Sequence, residues 1–320
     1  MALLSWEVVG MNRGAAREGA SKARIIAQGP MLDKADARRN GFDHAWHHRA
    51  AGAAVRPRGA EMASDKGFMK AAKATGVAAH CHVGACLGPG TRVELPRELA
   101  HHLGRVLRLA DGAMLSLFDG SGPAWLARLR LSHSGPATAD IVDAIDDDRE
   151  SPLRVVLGQG LSSGDRMDIT VQKAVELGVS GIAPLATARS VVKLSGDRAD
   201  RRREHWQRIA IAACEQCRRS TVPSVSSVGP LRDWLASLPP DAPKWLLCAR
   251  DGQRLAELPP PTRGTTGFLL AGPEGGFSEE ERALAVEAGF LPVRLGPRVL
   301  RTETAAMTAL AAMQTLWGDF

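Results

Sequence analysis

The sequence predicts two folded parts in series, a small β-barrel and then an α/β domain built on a largely parallel sheet. Three observations carry this. From Pro152 to the C-terminus, strand-like apolar runs alternate with helix-patterned runs, as in sheets whose strands are joined by helices on both faces. Over residues 89–150, short alternating runs are separated by turns and a single helical stretch, which suits a small barrel. Residues 1–88 show neither pattern.

That first region is rich in Ala, Gly, Arg and His and poor in large aliphatic side chains, as in His47-His48-Arg49-Ala50-Ala51-Gly52-Ala53-Ala54. Such a stretch buries too little apolar surface to offset the entropy of ordering it. Residues 1–88 are therefore expected to be a disordered extension or the product of a wrongly assigned start or frame.

The barrel elements follow in order. Thr91–Leu95 alternates as a strand, and Pro96 suits the first turn of a helix, where its missing N–H costs nothing. Leu99, Leu103, Val106 and Leu107 recur at helical spacing. Met114–Phe118 reads as a strand, Asp119-Gly120-Ser121-Gly122 as a turn, and Trp125–Leu131 and Ala139–Ile145 as further strands. The acidic run Asp146–Glu150 reads as a linker. In the α/β part, strands are expected at Leu153–Leu157, Gly181–Leu185, Lys244–Cys248 and Gly267–Leu270. Helices are expected at Met167–Leu177, stopped by Gly178, and at about Arg201–Cys217.

Composition narrows the function classes. The chain of 320 residues is 44% hydrophobic and 24% charged, ordinary for globular domains, and 41 Lys and Arg against 35 Asp and Glu leave a net charge of +6. A basic balance favours a polyanionic partner. Five cysteines at irregular spacing do not form a disulfide framework, and Cys214-x-x-Cys217 lacks the second pair of a zinc site. His80, Cys81, His82 and Cys86 have metal-ligand chemistry but stand in the doubtful first region. No apolar run reaches the length of a membrane span, and the N-terminus lacks a secretory pattern, so a reduced, cytoplasmic protein is expected.

Two segments carry chemistry. In Leu269-Leu270-Ala271-Gly272-Pro273-Glu274-Gly275-Gly276-Phe277-Ser278, a strand runs into a glycine-rich loop and a helix. Ser278 with Glu281 three residues on makes a capping box. Its spacing matches neither the dinucleotide fingerprint nor the nucleotide P-loop. The second segment, Val293–Ala306, places Leu295-Gly296-Pro297 after a strand. Arg301, Glu303 and Thr304 then precede an apolar helix, Ala305–Leu316, which Thr302 or Thr304 is expected to cap. Glycines in such loops let backbone approach a ligand, and the carboxyl ends of parallel strands are where ligands bind.

Gly272–Glu281 and Leu295–Ala305 closely resemble two motifs of the SPOUT methyltransferases, specifically of the RsmE family. The resemblance extends to Lys173 with Glu176-Leu177-Gly178, to Arg189-Ser190, to Glu215-Gln216 with Arg218 or Arg219 and Pro223, and to His101-His102-Leu103 with Val106-Leu107-Arg108. It covers residues 89–320. It implies a PUA-like RNA-binding barrel at 89–150, a methyltransferase domain at 151–320 with a C-terminal trefoil knot, and a homodimer. It also implies methylation of N3 of a uridine in the 16S rRNA of the small ribosomal subunit, with S-adenosyl-L-methionine (SAM) as cofactor and no metal.

Carried onto this chain, the resemblance places the cofactor against Leu270, Ala271, Gly272, Pro273, Glu274, Gly275, Leu295, Gly296, Leu300, Arg301, Thr304 and Ala305. The catalytic candidates are Arg301, which would stabilise negative charge on the base, Glu303, which would orient Arg301 or accept a proton, and Thr304. RNA contacts are expected from His102, Arg105 and Arg108 on the barrel and from Arg189 and Lys193. The family normally opens its barrel with a strand carrying Arg and Phe, and Ala79-His80-Cys81-His82-Val83 departs from it. Two other functions stay open: a SPOUT enzyme acting on another RNA, and a non-catalytic ribosome-binding factor of the same fold.

Overall fold

The computed structural model describes residues 76–132, 135–146 and 149–320. The expectation for residues 1–75 lies outside the described residues. Five strands form the first sheet: β1 (His80–His82), β2 (Arg92–Glu94), β3 (Met114–Phe118), β4 (Ala124–Arg130) and β5 (Thr138–Ile145). Their order is β1-β3-β4-β5-β2, antiparallel except for the parallel pair of β1 and β3. The sheet is a mixed half-barrel. Its apolar positions alternate inward and pack Leu103, Leu115, Leu117, Ala127 and Leu129 into one core.

The structure corrects the reading of residues 76–88. Cys81 and Val83 are buried in that core, and the backbone N–H of Ser116 bonds the carbonyl of Ala79. The stretch carries no Arg or Phe, yet alternate small apolar side chains suffice to bury one face of an edge strand. The helix after β2 also differs. Helix α1 (Arg97–His101) gives way to a π-helical turn over His102–Val106. That change of pitch leaves Leu103 buried and turns Val106 and Leu107 out to solvent.

The second sheet is parallel throughout. It comprises β6 (Arg154–Gly160), β7 (Gly181–Ala186), β8 (Ser224–Val225), β9 (Gly229–Pro230), β10 (Lys244–Leu247), β11 (Gln253–Arg254), β12 (Thr266–Ala271) and β13 (Leu291–Arg294). The order is β11-β13-β10-β12-β6-β7-β8, with β9 beside β7. The central strands β6 and β12 are buried almost end to end, which explains why they read as continuous apolar runs rather than alternations. Helices α2 (Arg166–Glu176), α3 (Asp197–Cys217), α4 (Leu231–Ser237), α5 (Glu279–Glu287) and α6 (Thr302–Trp317) cover the sheet. Met167, Val171, Ala174 and Val175 form the inward stripe of α2, and Gly178 ends it at a φ of +81°.

The C-terminal segment does not stay at the sheet edge where β13 leaves it. It returns to the ends of β6 and β12, and α6 then packs along α2. Gln314 fastens it, its amide donating to the carbonyl of Leu177 at 2.9 Å while its Oε1 accepts from Ser151 at 2.6 Å. The two parts of the chain meet at a seam where Phe118 of β3 packs into the core of the α/β part, with polar bonds around it. The buried guanidinium of Arg219 donates to the carbonyls of Val175 and Val179 and forks onto the Glu150 carboxylate, so the end of the expected linker is pinned. Across the seam, the backbone N–H of His82 in β1 donates to Glu215 of α3 at 2.9 Å.

Candidate active site

Strand β12 sits between β10 and β6, so its loop opens at the middle of the sheet's carboxyl edge. The loop 272–278 ends at the capping box expected from the sequence. Ser278 Oγ accepts from the Glu281 backbone N–H, and Glu281 accepts from the Ser278 N–H at 2.9 Å. The other oxygen of Glu281 accepts from the backbone N–H of Ala188 at 2.7 Å, which ties the loop after β7 to this one. The two loops touch closely at Gly275, where a Cβ would lie 3.0 Å from Cβ of Arg189. A side chain at Gly275 would push them apart.

The second loop, 295–301, arrives from β13 and ends where α6 begins. Thr302 is the first residue of that helix, not its cap. Arg301 holds the cap position and makes no side-chain cap bond. The hydroxyl of Thr302 instead donates to the carbonyl of Gly272 at 2.6 Å. Gln159, at the end of β6, lies within hydrogen-bonding distance of both, 3.0 Å from Thr302 Oγ1 and 3.2 Å from the Gly272 oxygen. Three segments far apart in sequence are thereby tied at one buried point. Arg301 and Glu303 flank Thr302, so this node sets where they stand.

A third group comes from the loop after β6. Arg166 donates to Glu274 at 2.9 Å, and the Ser163 backbone N–H and hydroxyl each donate to the same oxygen at 2.8 Å. Burial pushes the Glu274 carboxyl up, but these hydrogen bonds outweigh it and hold the group below the ordinary carboxylate range. The Arg166 Nε also stands 3.8 Å from Glu303 Oε2, an atom that is buried and lacks a hydrogen-bond partner. Glu303 thus faces Arg166. No carboxylate among the described residues pairs with Arg301, which is exposed. The expectation that Glu303 orients Arg301 is not met.

These loops line a cleft of about 690 Å³. Ala271, Gly272, Pro273, Glu274, Gly275, Leu295, Gly296, Leu300, Arg301, Glu303 and Ala305 all face it. Leu270 and Thr304 do not. Leu270 is fully buried within β12, and Thr304 is rotated out of the lining by the turn of α6. Of the expected RNA contacts, Arg189 lines the cleft and donates to the Gly275 carbonyl at 3.3 Å. Lys193 lies 3.5 Å from the Thr187 carbonyl, farther along the same loop. His102, Arg105 and Arg108 are exposed on the half-barrel and are not part of the cleft. Gln159, Ser163, Arg166 and Thr302 were missed. The only sequence signal for the first three was the polar stretch Gly160–Gly164 at the end of a strand.

The buried cysteines have structural surroundings. Burial pushes the thiols of Cys81 and Cys214 up to about 12, far from a reactive thiolate. Cys214 donates to the carbonyl of Thr221 beyond the end of α3, and Cys217 to that of Cys214 within its last turn. Among the described residues no group of three or more His, Cys, Asp or Glu is arranged to hold a metal ion.

Comparison with known proteins agrees with this geometry. A model of the RNA methyltransferase domain matches residues 149–314, and a model of the RNA methyltransferase PUA domain matches residues 95–142. Ribosomal RNA small subunit methyltransferase E of Bacillus subtilis (strain 168) is 31% identical over 68% of this chain and 87% of its own length. Its namesake from Buchnera aphidicola subsp. Schizaphis graminum is 30% identical over 71% of this chain and 92% of its own. The crystal structure of ribosomal RNA small subunit methyltransferase E from Neisseria gonorrhoeae bound to S-adenosyl methionine superposes with a TM-score of 0.71 at 42% identity, covering 76% of this chain and 99% of that one. A putative methyltransferase from Legionella pneumophila, in complex with the bound cofactor SAM, gives 0.69 at 37% identity, covering 75% and 98%.

Proposed function

The chain belongs to the ribosomal RNA small subunit methyltransferase E family, and from that premise we propose that it transfers a methyl group from SAM to N3 of a uridine in 16S rRNA. The observation that carries the proposal is the joining of loops 272–278 and 295–303 into one cleft through Thr302, Gly272 and Gln159.

The cleft fits the cofactor. Its volume of about 690 Å³ lies inside the roughly 300–1,000 Å³ of small-molecule sites. A Cβ at Gly296, whose φ is +120°, would meet nothing within 4 Å, so backbone there faces open space. Glu274 and Glu303 supply negative charge, the latter through an oxygen with no hydrogen-bond partner, toward a ligand that carries a sulfonium and an ammonium. Backbone around Gly272, Leu295, Gly296 and Leu300 would hold adenine and ribose.

When bound, SAM supplies a methyl group already activated for transfer. The chain's own task is to position the base and to manage the proton on N3. Arg301, exposed at the cleft and free of carboxylate partners among the described residues, donates N–H groups to the uracil oxygens where negative charge gathers. Glu303, held beside Arg166, accepts the proton. Thr304 acts only by supporting the first turn of α6. Holding base and cofactor in line supplies most of the acceleration. His102, Arg105 and Arg108 hold the surrounding RNA through the half-barrel, after the base is splayed from its stack.

The return of residues 295–320 between the ends of β6 and β12 is read as the trefoil knot. Ile169 of α2 and Leu316 and Phe320 near the C-terminus are exposed and suit the surface of a homodimer. No helix among the described residues is long and apolar enough to cross a membrane, and a reaction on small ribosomal subunits is the support for reading the protein as cytoplasmic.

The test combines calorimetry with SAM and methyl incorporation into small subunits from a strain lacking this activity. The enzyme reading expects both. SAM binding without incorporation would point to another RNA substrate, and failure of both would leave the non-catalytic binding factor.

A further inference from the structure

We infer that one edge of α3, formed by Arg198, Arg201 and Arg202, is a second RNA-binding surface that grips the phosphates of the strand leading into the cleft. This rests on the reading of the chain as an rRNA methyltransferase. All three arginines are exposed, and with Leu194 they line a concavity of about 220 Å³. None of the three is ion-paired with a carboxylate among the described residues.

A surface helix usually intersperses its signs so that i, i+3 and i, i+4 neighbours attract. Here Arg198 stands three and four residues before Arg201 and Arg202, so like charges face each other on one edge. Of the acids in the same stretch, Asp200 projects on a different side of the helix, while Asp197 and Glu204 stand four residues before and three after Arg201, on its side away from Arg198 and Arg202, and neither is ion-paired with it. Like-charge neighbours weaken a helix, and an anion spanning them relieves the repulsion. Guanidinium groups suit phosphate in particular, since their planar N–H pairs match two of its oxygens.

Position supports RNA over other anions. Loop 187–196 joins β7 to α3. Near its start Arg189 lines the cleft, and the basic edge begins directly after its end. Arg198 follows Arg189 by nine positions, so the edge lies at most about 30 Å away, within reach of the strand that delivers the target base. Arg189, Lys193 and the α3 arginines thus follow one another along the chain from the cleft, separate from His102, Arg105 and Arg108 on the half-barrel.

The experiment measures binding of the full chain to protein-free 16S rRNA as a function of salt, for wild type, R198A/R201A/R202A and R198K/R201K/R202K. The alanine variant is expected to bind about 10- to 100-fold more weakly at low salt. Its slope of log Kd against log salt should be shallower by about 2, at roughly 0.7 per single-strand phosphate contact. The lysine variant should keep most of the slope, and calorimetry should give all three the same SAM affinity. An unchanged slope in the alanine variant overturns the proposal. So does a loss seen with intact small subunits but not with protein-free rRNA, which would assign the surface to a ribosomal protein. If wild type shows the salt dependence but methylates nothing, the surface stands and the enzyme reading falls.

Discussion

Among the described residues the half-barrel buries one polar side chain, Ser116, which is satisfied by the imidazole of His80 at 2.8 Å, whereas the α/β part buries ten. Five of those ten, Gln159, Ser162, Thr187, Ser190 and Thr302, sit in or beside the loops at the carboxyl ends of β6, β7 and β12. Burying a polar group costs stability unless it finds a partner, so their concentration at one edge marks where geometry matters more than packing. The half-barrel is an apolar core with its candidate RNA contacts exposed on the outside. The α/β part holds a polar scaffold under the cleft, and the exposed Arg301 stands on it.

If that contrast is right, the largest effect comes from the exposed group on the buried scaffold. Arg301→Ala should lower methyl transfer by about 10²–10³-fold, the loss typical of removing a donor to developing negative charge. SAM affinity by calorimetry should change little, and near-normal single-turnover rates would remove Arg301 from its role. Next is the seam, where Arg219 satisfies two carbonyls and a carboxylate. Arg219→Ala should destabilise the fold by about 3 kcal/mol, because it strands buried partners. A denaturation midpoint equal to wild type would show the seam to be ornamental to folding.

The scaffold itself should give smaller, separable effects. Thr302→Val removes the shorter of the two hydrogen bonds to the Gly272 carbonyl and should cost about 1–2 kcal/mol, with kcat falling more than KM rises. Thr302→Ser should restore both, and a Val variant that performs as wild type while Ser fails would mean that the methyl group, not the hydroxyl, is what the node uses. The smallest effect belongs to the half-barrel surface. Hydrogen bonds from Arg92 and Arg130 hold Asp140 down at about 2 from an ordinary 3.8. A carboxyl depressed in the folded state contributes stability that is complete above its unfolded pKa and is lost as pH falls through the folded one. Asp140→Asn should therefore flatten the loss of stability between pH 3.8 and 2, its small cost being present at neutral pH and gone below pH 2.

The same contrast explains what the sequence could reveal. Strand and helix positions in the α/β part were legible because long apolar runs and the glycine stop at Gly178 have few other readings. The two site loops were legible for the same reason: Gly272–Ser278 and Leu295–Glu303 each follow a strand and open a helix. The node between them was not, since Gln159 and Thr302 are 143 residues apart and meet only because β6 and β12 are neighbours in the sheet. Thr302 and Thr304 could not be told apart without the phase of α6, and the partner of Glu303 proved to be Arg166, the first residue of α2, just after a polar stretch that pattern alone left featureless. In the half-barrel, β1 was hidden because a three-residue edge strand of His-Cys-His carries almost no periodic signal. The exposure of Val106 and Leu107 followed from a π-turn that helical spacing does not anticipate.

The most direct test is mass spectrometry of nucleosides from 16S rRNA, after small subunits from a strain lacking this activity are incubated with the protein and SAM. The proposed chemistry predicts new 3-methyluridine, absent when Arg301→Ala replaces wild type. A different methylated nucleoside, or 3-methyluridine formed equally well by the variant, would contradict it.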